Sequence, residues 1–138
     1  MGMWRSLVVV LGVFAIATAA YAGRTAPLVE YENVLVQSLD GKPLTLEQVK
    51  KAVVQGGASK QWIASQLEGN RIQFTHTRGG HTAVVEVAYS EKAFSIHYVN
   101  SVHLNYVPKE SGGPLIHPVY NGWINNLKVS IEAALKTV

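Results

Sequence analysis

Apolar and polar residues alternate through residues 71–99, RIQFTHTRGGHTAVVEVAYSEKAFSIHYV, and turn chemistry interrupts the alternation twice. A period of two with one apolar face predicts an antiparallel meander, buried on one side and wet on the other. Ile72 and Phe74 share parity in the first strand, Ala83, Val85, Val87 and Tyr89 in the second, and Phe94, Ile96 and Tyr98 in the third. These nine form the expected inner face. Gly79-Gly80 offers the positive φ that a tight hairpin requires, and Ser90-Glu91-Lys92 makes the second turn. Upstream, QWIASQLE (61–68) reads as a further strand, turned into the meander by Gly69-Asn70. Residues 28–37 are extended with poor alternation and suit an edge, and residues 23–27 read as a loose start.

The period changes to that of a helix in two places. Thr45 with Gln48 forms a capping-box pair. Leu46, Val49, Ala52 and Val53 then recur on one face, and Gly56-Gly57 is the expected stop, because glycine takes the left-handed C-terminal conformation at little steric cost. The second helix opens at His117-Pro118, with proline placed where its missing N–H costs nothing. Ile116, Tyr120, Trp123, Ile124, Leu127, Ile131, Ala134 and Leu135 fall on one broad stripe, so Trp123 is expected in the core. Between strands and helix, residues 100–115 form a long irregular stretch with Pro108, Gly112, Gly113 and Pro114. The prediction is α+β: an antiparallel meander of three to four strands with two helices packed on one face.

Composition changes this picture at the N-terminus. Residues 1–22 combine a basic start at Arg5, the apolar run LVVVLGVFAIATAA and a small-x-small site at Ala20-Tyr21-Ala22. That is the layout of a secretory signal peptide, and the apolar run is shorter than the ~20 residues of a membrane span. Residues 23–138 are left as a single α+β domain, with 23–43 as its extended, flexible start. The whole chain carries 12 Lys and Arg against 9 Asp and Glu. Such a balance has no basic run for nucleic acid. There are no cysteines, which excludes disulfides, thiol catalysis and a lipidated N-terminus.

Candidate chemistry is sparse. The five histidines, His76, His81, His97, His103 and His117, do not share one strand face, so a metal site is not expected. Glu30 and Glu32 share parity in the least regular segment and read as a solvated edge. No serine sits in a nucleophile elbow, and no glycine pair forms a phosphate loop. No cofactor and no catalytic residue is assigned. The unusual segment is 116–127, IHPVYNGWINNL, because three asparagines oppose helix propensity there. His117, Asn121 and Asn125 border the stripe, and with Asn105 and Tyr106 of the preceding loop they would line an amide-rich groove for a neutral polar ligand.

The runs LTLEQVKKAVVQ, HTAVVEVAYSEKAFSIHYVNS, LNY and IHPVYNGWINNL resemble a family of small uncharacterised exported proteins and predicted lipoproteins of proteobacteria. The resemblance covers residues 44–131. It implies a small α+β domain in the Gram-negative envelope and lends no activity. Gly23 stands where lipidated relatives carry a cysteine, which implies a soluble periplasmic protein, and the loop after Tyr106 is longer than the short glycine turn of the family. The expectation is a non-enzymatic periplasmic protein binding an envelope protein, peptide or glycan. The alternative is a small envelope hydrolase using His117 with Glu110 or Ser111.

Overall fold

The computed structural model describes residues 24–108 and 110–138, and the predicted leader lies outside the described residues. In chain order the elements are β1 (Ala26–Pro27), β2 (Tyr31–Leu35), α1 (Leu46–Ser59), β3 (Ile63–Leu67), β4 (Arg71–Arg78), β5 (His81–Tyr89), β6 (Ala93–Val102), β7 (Leu115–Ile116) and α2 (Pro118–Leu135). Five strands form one antiparallel sheet in the order β2-β6-β5-β4-β3, and β1 with β7 makes a separate pair. The class is α+β, with one strand more in the main sheet than expected. That strand is β2, which returns to the sheet beside β6. Its weak alternation has a local cause. The register shifts between Tyr31 and Val34, and Asn33 takes a positive φ of 50° there. A bulge of this kind breaks the period of two.

The inner face is the one the alternation marks. Ile72, Phe74, Ala83, Val85, Val87, Tyr89, Phe94 and Ile96 are buried, and Tyr98 is half-buried. Each large member contributes roughly 1.5–3 kcal/mol on leaving water. Both helices cover this face: Val49, Ala52 and Val53 of α1 join Tyr120, Ile124, Leu127, Ile131 and Leu135 of α2 in the same core.

Thr45 caps α1 as its sequence predicts. Its hydroxyl accepts from the Gln48 N–H at 3.2 Å, and the Gln48 side-chain oxygen accepts from the Thr45 N–H at 2.9 Å. The stop at Gly56-Gly57 is corrected: both lie inside α1, which runs on to Ser59. A Cβ on Gly56 would sit 2.7 Å from the Ile131 Cα, and one on Gly57 would sit 2.2 Å from the Phe74 ring. The glycines are there for close approach, one toward α2 and one toward β4. Ser130 fastens the same contact by donating to the Gly56 carbonyl at 2.8 Å.

Two segments expected to be loose are tied down. Leu28 N–H donates to the Pro114 carbonyl at 2.9 Å beside the β1–β7 pair. In the stretch before α2, β6 continues to Val102, Val107 bridges Leu115, and buried Leu104 accepts from the His117 N–H at 2.8 Å.

Candidate functional site

The five residues expected to line a groove have separate placements. Asn121 turns to the N-terminal segment: its side-chain oxygen accepts from Val29 N–H at 3.0 Å and its amide donates to the Pro27 carbonyl at 2.9 Å. Asn125 accepts from the Tyr31 hydroxyl at 3.2 Å. His117 is the N-cap of α2, with Nδ1 accepting from Val119 N–H at 3.0 Å. Tyr106 stacks on Tyr98 with centroids 4.2 Å apart, and Asn105 is exposed at a positive φ of 54°. Asn121 and Asn125 thus hold the segment from Pro27 to Tyr31, and the loop they were expected to face is held by backbone bonds. Among the described residues, no hydrogen bond joins His117 to Glu110 or Ser111.

The histidines separate as strand parity implies. His97 is on the outer face and contacts Glu32 of the β2 bulge. His81 donates from Nδ1 to the His103 carbonyl at 2.7 Å, since a carbonyl can only accept, and its ring lies 6.5 Å from that of His117. His76 is elsewhere, and it is the one that matters. It sits on the inner face, only 6% exposed.

His76 lies against two tryptophans. The Trp62 ring is 5.1 Å away and tilted by 35°, and the Trp123 ring is 4.6 Å away and edge-on at 77°. Trp62 is 4% exposed, and Trp123 is half-buried and so flanks the core. The three rings border a cleft of about 280 Å³ between the start of β3, the end of β4 and α2. His76 Nδ1 is 3.3 Å from the Gln61 carbonyl. Hydrogen-bond logic therefore assigns Nδ1 the proton and leaves Nε2 a lone pair in the neutral ring. That Nε2 has no partner among the described residues. It is not sealed off, because the buried, unpartnered side-chain atom among those residues is the Tyr120 hydroxyl.

Lys60 and Arg78 also line the cleft, and no carboxylate does. Neither cation is in an ion pair among the described residues. Gln61 and Asn126 add two amides. The backbone that presents Gln61 and Trp62 is a Schellman cap on α1: Trp62 N–H donates to the Gly57 carbonyl at 3.0 Å and Gln61 N–H to the Ala58 carbonyl at 3.1 Å. The left-handed position of that cap, usually glycine, is Gln61 at φ 65°. A non-glycine residue held there stores strain of about 1–3 kcal/mol.

The strand register brings the first two rings together. β3 pairs β4 with Ile63 opposite Thr75, so one step further places Trp62 beside His76. A two-residue turn at Gly69-Asn70 would have set Trp62 opposite Thr77; the loop instead takes in Glu68 as well, and that one-residue difference brings Trp62 to His76. What the stripe on α2 does not reveal is that Trp123 reaches the edge of the helix layer. A larger cleft of about 580 Å³ borders loop 37–44 and Lys136, but its walls hold no buried polar side chain.

On the inner face of the sheet, Tyr98 and Tyr120 lie 5.8 Å apart in an edge-on pair. Burial raises the hydroxyl pKa of both, most for Tyr120, where the Glu30 carboxylate adds to the effect. Glu30 itself accepts from Tyr98 N–H at 2.8 Å. No family model matches the chain, and searches of curated proteins and of solved structures also give no match.

Proposed function

We propose that this is a non-enzymatic binding protein of the bacterial envelope, exported to the periplasm by residues 1–22, which takes an envelope component in the Trp62–His76–Trp123 cleft. The observation that carries this reading is His76: a polar ring more than nine-tenths buried, held between two indoles, in a cleft with two cations, its Nε2 and both cations without a partner among the described residues. A core histidine satisfied by its neighbours needs neither the open nitrogen nor the charges. Concave sites with aromatic walls and a few placed polar groups are the usual form of ligand pockets. The strained Gln61 supports the same reading, because strain of that kind concentrates at binding sites. The resemblance to exported proteins of proteobacteria supports the location.

The test is photo-crosslinking in intact cells. A photoreactive residue in place of Asn126, at the cleft, should capture an envelope component. One in place of Lys51, exposed on α1, should not. Equal capture from both positions would reject the cleft. Removal of residues 1–22 should leave the protein in the cytoplasm on fractionation, and a periplasmic truncated chain would reject the leader.

A further inference from the structure

We infer that the cleft recognises an acidic saccharide, a sugar ring that carries a carboxylate. The inference rests on the reading of this cleft as a binding site and assigns the chemistry of what binds. Each feature of the ligand answers a feature of the wall. Trp123, half-buried, offers exposed ring surface to the apolar C–H face of a pyranose, and buried Trp62 backs His76 behind it. The Gln61 and Asn126 amides each combine a donor group with an acceptor, which matches hydroxyls that do both. Neither side chain has a hydrogen-bond partner among the described residues, so neither must break one to bind. His76 Nε2, with its lone pair, accepts from a further hydroxyl.

Lys60 and Arg78 decide the charge. With no carboxylate on the walls, two cations at the cleft attract an anion. Arg78 presents a planar fork suited to both oxygens of a carboxylate. A neutral sugar would use the rings and amides and leave both cations unanswered. The volume of about 280 Å³ lies at the small end of ligand sites, which fits a short saccharide unit. An acidic peptide could satisfy the cations, but it would leave Trp123 and the free amides without the hydroxyl-rich ring they match.

The chain has three tryptophans, and two of them, Trp62 and Trp123, are in the cleft. In the full-length protein carrying Trp4→Phe, indole fluorescence therefore reports on the cleft alone. The probes are digalacturonate against the corresponding neutral galactose disaccharide, N-acetylmuramic acid against N-acetylglucosamine, and an acidic tripeptide, all at one ionic strength. At least one acidic sugar should change the fluorescence and bind ten-fold or more tightly than its neutral counterpart. Which pair responds separates a uronic-acid glycan from a cell-wall fragment. Arg78→Gln and Lys60→Gln, both at exposed positions, should each weaken that binding about ten-fold with an unchanged thermal melt. Equal binding of acidic and neutral sugars, or preference for the peptide, overturns the inference and leaves the cleft as a site. Silence from every sugar also overturns it, and the Asn126 crosslink then decides separately whether the cleft binds anything.

Discussion

Three glycines in helices do different jobs, and substitution separates them. Gly57 lets the Phe74 ring come within the space a Cβ would need, so Gly57→Ala should cost about 1–3 kcal/mol by overpacking. Gly56 has backbone of α2 in the same relation and should behave alike. Gly122, in the exposed turn of α2, has nothing near its missing Cβ. Gly122→Ala should therefore stabilise by about 0.5–1 kcal/mol, since alanine loses less backbone entropy in a helix. Urea melts of the two variants should move in opposite directions. Movement in the same direction would mean that α1 does not seat on β4 as described. The sequence alone read Gly56-Gly57 as a stop, because a glycine pair after an amphipathic stretch looks the same whether it ends a helix or seats it.

Among the elements, the ends carry the most information. α1 ends on a left-handed glutamine, and Gln61→Gly should relieve about 1–2 kcal/mol of strain. Glycine's larger unfolded-state entropy offsets part of that gain, so a net rise of under about 1 kcal/mol is expected in the same melts. Loss of stability would mean that the Gln61 side chain supports the fold. The residues between β1 and β2 are fixed to α2 through Asn121, whose two backbone partners are each worth about 0.5–1.5 kcal/mol. Asn121→Ala should raise hydrogen exchange at Val29 while Phe74 and Val85, deep in the sheet, keep their protection. Uniform acceleration would place Asn121 in the global unfolding unit instead. Asn121 and Asn125 looked anomalous in sequence because their partners lie more than 90 residues away.

For the molecule as a whole, buried Tyr120 is expected to lower stability at alkaline pH. Tyr120 has no exposed surface, and its folded pKa is raised above the ordinary 10.0. Below that ordinary value, both folded and unfolded chains keep the proton and stability is undiminished. As pH climbs above it, the unfolded chain releases a proton that the folded chain retains, so stability falls with rising pH. Denaturation midpoints should therefore drop between about pH 9 and 11, and less so in Tyr120→Phe. At neutral pH the same variant should match the parent or exceed it slightly, because the hydroxyl it removes is buried without a partner among the described residues. An alkaline slope unchanged by Tyr120→Phe would assign the loss to other groups.

The sequence by itself determined the strands of the meander, the face each one buries, the capping box of α1 and the stripe of α2. Those features depend on neighbours two to four residues apart, so periodicity and local hydrogen bonding specify them. Only the tertiary structure decided that β2 lies beside β6, that two glycines seat one helix, and that Asn121 and Asn125 hold the N-terminal segment. It alone assembled Trp62, His76 and Trp123 with Lys60 and Arg78. Each of those depends on residues brought together from distant parts of the chain. A helix stripe or a strand parity states which way a side chain points, but what it meets there is set by the packing of the layers.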